Sequence, residues 1–294
     1  MGKKIRLIEV GPRDGFQNVC DFIPTDIKLS VIDMLVQAGV RDIMITSFVS
    51  PKAIPQMRDA KEITEACVGK YPDVNLSALV PNLRGARDAA AMGLRNITAV
   101  VSVSRSHNRA NVNRTPEESL EDLAEMLVEC PAAEFTLDLA TAFGCPFEGE
   151  TPLEAVRSMV RRAYDIGIRK IDLCDTIGMA IPSQIRAYLT ALMREFPDVE
   201  FLVHIHDTRN MGIVNTLAAI ECGVTTVQAA LGGLGGCPFV PGASGNTSSE
   251  DLVYMLNRMG YDTGIDFERL LDAARYAHEH IQGNYSGHHI NISR

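Results

Sequence analysis

Residues 153–175, LEAVRSMVRRAYDIGIRKIDLCD, hold one complete unit of the pattern that decides the fold. Thr151-Pro152 opens a helical stretch over Leu153–Ile166, where a proline in the first turn loses an N–H that has no partner anyway. Gly167 stands where a left-handed cap is wanted, and Lys170–Asp175 then reads as a strand. Working outward, the same alternation recurs. Further strands are predicted at Ile5–Val10, Asp42–Phe48, Asn75–Val80, Asn96–Ser104, Glu134–Ala142, Glu200–Asp207 and Thr225–Ala230. Helices over Asp26–Ala38 and Ser119–Cys130 begin beside Pro24-Thr25 and Thr115-Pro116-Glu117-Glu118, and Gly39, Gly93 and Gly223 each precede a strand. Eight strand–helix units with strands buried on both sides predict an α/β fold, a (β/α)8 TIM barrel with additional C-terminal helices after Ser248. A doubly wound sheet would carry a glycine fingerprint after the first strand, where this chain has Gly11-Pro12-Arg13-Asp14-Gly15.

The 294 residues suit two ordinary domains or one large barrel, and no Ser/Gly/Pro linker divides them. A single catalytic domain over residues 1–282 is expected, with 283–294 a frayed tail. Hydrophobic residues at 46% and charged residues at 22% are the balance of a globular protein. A net charge of -9 excludes nucleic acid and anionic membrane as partners recruited by bulk electrostatics. No apolar run approaches the roughly 18 residues of a spanning helix, and Met1-Gly2-Lys3-Lys4 leads directly into a strand, so a cytoplasmic location is expected. Seven cysteines, at 20, 67, 130, 145, 174, 222 and 237, with no C-x-x-C pair, predict reduced thiols rather than disulfides or structural zinc.

In such a barrel the strand C-termini converge on one site. His204 and His206, two apart on a strand, point to one face and can share a metal ion. Asp14 adds a carboxylate from the first strand end and Asn246 an amide oxygen, although either alone would read as a turn residue. Two imidazoles and two oxygen donors without thiolate describe a hard divalent ion, Mg²⁺ or Mn²⁺, with two positions open to a hydroxyl and a carbonyl or carboxylate oxygen. Cys237, in the segment Leu231–Pro238, is a candidate proton donor in a lid loop; Arg13 is placed to neutralise an enolate, or else to pair with Asp175 or Glu9. His278 and His280 fall on a helix at a spacing that turns them apart, and His288-His289 fall in the tail; both pairs are read as solvated. Lys52, Arg84, Arg105, Arg109 and Arg114 lie near the loops that would meet phosphates, but read mostly as solvated charge; His107 is a weak candidate for substrate contact.

These residues resemble the 3-hydroxy-3-methylglutaryl-CoA lyases, within the metal-dependent barrels that include 2-isopropylmalate and homocitrate synthases. The resemblance rests on Gly11–Asn18, Ser47–Lys52 with Pro55–Met57, Gly144–Gly149, Asp175–Gly178, His204–Thr208, Gly232–Pro238 with Gly242–Asn246, and Glu250–Leu256. It implies metal binding by Asp14, His204, His206 and Asn246, enolate stabilisation by Arg13 and proton donation by Cys237. It also implies that Asp175 assists hydroxyl deprotonation, with His204 in the catalytic set and Gln17, Arg13 and Ser104 touching substrate. The expected partner is a small acyl-CoA, cleaved with a divalent metal to acetyl-CoA and a keto acid such as acetoacetate; the chain is compatible with a homodimer. Two positions depart from the pattern. Met44 stands where lyases carry an acidic residue, and Arg209-Asn210 follow where they carry an aromatic residue and glycine. The alternatives are therefore a different hydroxyacyl-CoA such as citramalyl-CoA, a related aldolase or condensing enzyme, or a barrel retained only for binding.

Overall fold

The computed structural model describes residues 2–236 and 245–293. Among these, eight parallel strands close into a barrel: β1 (Arg6–Glu9), β2 (Asp42–Ser47), β3 (Asn75–Val80), β4 (Asn96–Ser102), β5 (Glu134–Ala140), β6 (Lys170–Asp175), β7 (Glu200–Ile205) and β8 (Thr226–Ala229). Each lies beside its neighbours in sequence, and closure sets Arg6 opposite Thr226 and Glu9 opposite Ala229. The chain is the expected TIM barrel, with strand ends trimmed by one or two residues where the backbone turns into the mouth loops. Gly39, Gly93, Gly167 and Gly223 all take the positive φ that a left-handed cap requires. Two elements at the C-terminal mouth were not anticipated: a helix Arg105–Val112 after β4, and a short ladder pairing Gly144–Cys145 with Gly149–Glu150 after β5. No helix among the described residues is long and apolar enough to cross a membrane.

Strand alternation divides the side chains into two sets. Ile43, Ile45, Ala78, Val80, Ile97, Ala99, Val101, Leu137, Leu139, Ile171, Leu173, Val203, Ile205 and Val227 belong to the main core shared with the surrounding helices. Each such burial contributes about 1.5–3 kcal/mol. The alternate set fills the barrel and is itself split. Val10, Met44, Leu79 and Ala230 form a separate apolar cluster with Ile8, Val49 and Val100. Asp138, Asp172, Cys174, His204, His206 and Gln228, from β5 to β8, make the other half polar. Met44 thus belongs to the apolar cluster, and the β2–β3 register slips between Met44 and Thr46.

The tail is not frayed. Backbone N–H groups of His288 and His289 donate to Asp251 Oδ2 (2.7 Å) and Oδ1 (3.0 Å), and the His289 ring packs 4.6 Å from Tyr254 and 5.3 Å from Phe267, centroid to centroid. His278 and His280 are exposed, as expected, and each also lies against a ring: His278 meets Tyr285 edge-on and His280 stacks on Tyr276.

A buried ion pair ties the first helix, Thr25–Gln37, to the segment after β2. Lys28 Nζ donates to Asp59 Oδ1 (2.8 Å) and Oδ2 (3.0 Å) and to the Gln56 carbonyl (2.5 Å), while the Gln56 amide donates to Val19 O (2.7 Å) and Asp21 O (2.5 Å). Removing one member leaves the other as an uncompensated buried charge. Asp59→Ala is expected to cost about 3–5 kcal/mol in equilibrium urea unfolding, whereas Lys28→Met is expected to cost distinctly less than Lys28→Ala because its chain fills the space.

Candidate active site

Glu9 ends β1 wholly buried and organises the backbone that follows. Its Oε1 accepts from Gly11 N (2.7 Å) and Leu231 N (2.9 Å), and its Oε2 from Ser249 Oγ (2.5 Å), which joins the loop after β1 to the segment after β8. The chain then makes a wide turn over Gly11–Gly15, with Asp14 N donating to Val10 O (2.6 Å), and Asp14 is delivered to the barrel axis. Asp14 Oδ1 accepts from Arg13 Nη1 (2.5 Å) and Gln17 Nε2 (2.9 Å); Oδ2 accepts from Asn246 Nδ2 (2.9 Å). Arg13 is therefore paired with Asp14, not with Glu9 or Asp175. Burial works to raise the Asp14 carboxyl, but Arg13, His204, His206 and Asn246 together outweigh it and lower its pKa.

His204 and His206 do share a face, with ring centroids 5.0 Å apart. The Nδ1 of His204 meets Gln228 Oε1 at 2.9 Å, which places the proton on Nδ1 and frees Nε2. Nε2 of His206 lies 3.9 Å from Asp14 Oδ2, and its backbone bridges that of Asn246. Burial lowers both imidazoles, His206 to about 4 with His204 as a second cause, so both are neutral near pH 7. Candidate ligand atoms of Asp14, His204 and His206 all lie within 4.8 Å of one another. Asn246 Oδ1 is buried beside them with no hydrogen-bond partner. Two neutral imidazoles, a carboxylate and an orphaned amide oxygen fit a divalent cation in donor type and placement. Behind them, Ser286 Oγ donates to the Gly233 and Asn246 carbonyls (both 3.3 Å), and Gly287 N donates to Gly232 O (2.9 Å). The C-terminal segment thereby braces the backbone of Asn246.

Above the cluster lies a chamber of about 130 Å³ lined by Arg13, Asp14, Gln17, His107, Asp138, Cys174, Thr176, His204 and His206. It opens past Arg13, Gln17 and Asn111 into a cavity of about 630 Å³ that reaches Phe22, Ser50, Asn82 and Arg114. Asp175 and Ser104 are not brought into the chamber. Asp175 shares the outward parity of Ile171 and Leu173; its Oδ1 accepts from Met179 N and its Oδ2 from Ala180 N (both 3.0 Å), so it builds the turn after β6. Ser104 caps the helix Arg105–Val112, accepting from His107 N (3.0 Å) and from Cys145 Sγ (3.0 Å). Cys237 lies outside the described residues. Arg209 donates to Ile177 O (2.9 Å) and Gly178 O (3.0 Å), supporting the same turn rather than entering the site. Of the basic residues near the loops, Arg105 pairs with Glu117 and Arg114 with Asp122, while Arg109 donates to Asn113 O.

Sequence reasoning passed over Asp138, Asp172 and Cys174. The available signal was a charged or polar residue at inward parity within strands that are otherwise apolar. Burial pushes Asp138 up to about 7, and burial together with Asp138 pushes Asp172 well above the usual carboxylate range. His107, lowered to about 4 by burial, lines the chamber with Nδ1 2.7 Å from Ser102 Oγ.

A closed parallel barrel whose mouth gathers two imidazoles, a carboxylate and an amide is the layout of a barrel enzyme built around a cation. The chain belongs to the HMGL-like family, whose model matches residues 4–276. The mitochondrial hydroxymethylglutaryl-CoA lyase of mouse is 40% identical over 276 residues, covering 93% of this chain and 85% of that one. The crystal structure of a Bacillus subtilis HMG-CoA lyase superposes with a TM-score of 0.90 at 40% identity, covering 94% of this chain and 93% of the other. That of an Acinetobacter baumannii HMG-CoA lyase, in complex with coenzyme A and 3-methylmalate, gives 0.94 at 37% identity, with 99% and 95% covered. The protein is a lyase.

Two outcomes follow from this geometry. Gln228→Leu removes the acceptor that orients His204 and is expected to weaken Mn²⁺ binding by about 10–100-fold in calorimetric titration, with the barrel still folded. Burial raises Glu9 from 4.5 to about 7, so the stability linked to its proton is fully present below pH 4.5 and lost as pH rises through 7. In Glu9→Gln the amide oxygen still accepts both N–H groups. The stability of the wild type relative to this variant is expected to fall by up to about 3 kcal/mol between pH 4.5 and 7, read from denaturant midpoints.

Proposed function

We propose that this lyase cleaves the C2–C3 bond of a 3-hydroxyacyl-CoA, with 3-hydroxy-3-methylglutaryl-CoA as the first candidate and acetyl-CoA and acetoacetate as products. The observation that carries the reading is that Asp14, His204 and His206 gather on a chamber that Arg13 also enters, with Asn246, whose amide donates to Asp14, keeping an unpartnered oxygen. These four residues would hold Mg²⁺ or Mn²⁺, which when bound supplies Lewis acidity to the substrate's hydroxyl and an acyl oxygen.

The chain's own groups do the rest. The Arg13 guanidinium, fixed by Asp14 in a site largely closed to water, neutralises the charge that develops on the thioester oxygen as the bond breaks. Gln17 holds Asp14 from the other side and lines the entrance to the chamber. In this reading the acyl group occupies the small chamber and the pantetheine arm the larger cavity; coenzyme A bound to the Acinetobacter baumannii relative supports an acyl-CoA as the substrate. The thiol of Cys237 returns a proton to the enolate carbon.

A second reading, a different acyl group such as that of citramalyl-CoA, is favoured by Met44. Met44 leaves that position of β2 without a carboxylate, and β5 offers Asp138 to the chamber instead. The test is to supply the purified protein with each thioester and Mg²⁺ or Mn²⁺ and follow acetyl-CoA by mass. Metal-dependent cleavage, abolished by chelator and reduced at least about 100-fold in Cys237→Ala, is the expected result. Faster turnover of the citramalyl ester would select the second reading, and no cleavage of any hydroxyacyl-CoA would overturn both.

A further inference from the structure

A base for the substrate hydroxyl has to face the chamber, and Asp175 does not. Asp14 and Asp138 are the carboxyls that line it among the described residues. Both oxygens of Asp14 are engaged, by Arg13 and Gln17 on one side and Asn246 on the other. Asp138 is different. It projects inward from β5, is 7% exposed, and its Oδ1 has no hydrogen-bond partner. Directly across the ladder from it, in register on β6, stands Asp172, fully buried, with Gln228 acting on both carboxyls. Two buried carboxyls side by side are costly to keep unless a ligand or a proton comes to them. The Arg13 charge acts on Asp138 and favours its carboxylate form, and both side chains line the chamber.

We propose that Asp138 is the base that takes the proton of the substrate's 3-hydroxyl, with Asp172 as a positioning residue behind it. This rests on the lyase reading above. In the step, the O–H bond pair becomes the new carbonyl π bond and the C2–C3 pair becomes the thioester enolate. The hydroxyl proton goes to the Asp138 carboxylate. The enolate carbon takes a proton from the thiol assigned above, and Asp138 releases its own to solvent, from which the thiol is restored. Atoms and charge balance with no further reactant.

Asp138→Asn keeps the shape and removes the basicity. It is expected to lower kcat by about 10²–10⁴-fold while KM and Mn²⁺ affinity stay within about threefold of wild type. In Asp138→Ala, added formate should restore part of the lost rate, which a merely structural defect would not allow. Exchange of the acetyl-CoA methyl protons with solvent deuterium needs the enolate machinery but no hydroxyl base, and should survive in both variants, which also reports that they are folded. Asp138→Asn with near wild-type kcat, a loss confined to KM or metal affinity, no formate rescue, or loss of the exchange reaction would each overturn the assignment. Failure of the wild type to cleave any hydroxyacyl-CoA would instead overturn the lyase reading.

Discussion

A buried carboxylate has to be surrounded by donors, and Asp14 is the one around which this barrel mouth is assembled. Its two oxygens collect Arg13 and Gln17 from the loop after β1 and Asn246 from the segment after β8, with His206 from the end of β7 alongside. Segments distant in sequence are thereby held at one point. Glu9 repeats the principle one layer deeper, binding backbone N–H groups of Gly11 and Leu231. The same donors that satisfy Asp14 leave the Asn246 oxygen without a hydrogen-bond partner, and Gln228 leaves the His204 Nε2 free.

The second organising feature is the asymmetry of the barrel interior. Toward the C-terminal mouth the inward residues of β1 to β4 are Ile8, Met44, Leu79 and Val100, whereas β5 to β8 bring acids, imidazoles, a thiol and an amide; at the other end of the barrel Arg6, Asp42, Ser77 and Thr98 share the interior. Polar groups gathered on one side can share counter-charges, here Arg13 acting on both Asp14 and Asp138. The divergence from the lyase pattern at β2 and the carboxyls at β5 and β6 are thus parts of one arrangement.

Much of this was legible in the chain. Periodic strands and proline- and glycine-punctuated helices gave the barrel almost to the residue, because each strand is an apolar run and each helix end carries a local signal that needs no tertiary context. His204 and His206 were legible for the same reason, since alternation along a strand puts them on one face. Asp175 was misplaced because a motif match carries no parity: one residue earlier or later on β6, at Cys174 or Thr176, the side chain reaches the chamber, but at Asp175 it turns to its own loop. Ser104 was misplaced because the hydroxyl caps a helix, Arg105–Val112, whose polar sequence gave no apolar stripe to detect.

By itself, then, the sequence determined the architecture, the end of the barrel at which chemistry gathers, and the residue types that could grip a cation there, since all three follow from short-range periodicity and side-chain chemistry. Only the tertiary structure decided which acids face inward, that Arg13 answers to Asp14, and that the chain's last residues brace Asn246 from behind. Such placements, like the pairing of Asp14 with Asn246 across 232 positions, are fixed by barrel closure and by the cost of leaving a buried charge or amide without a partner.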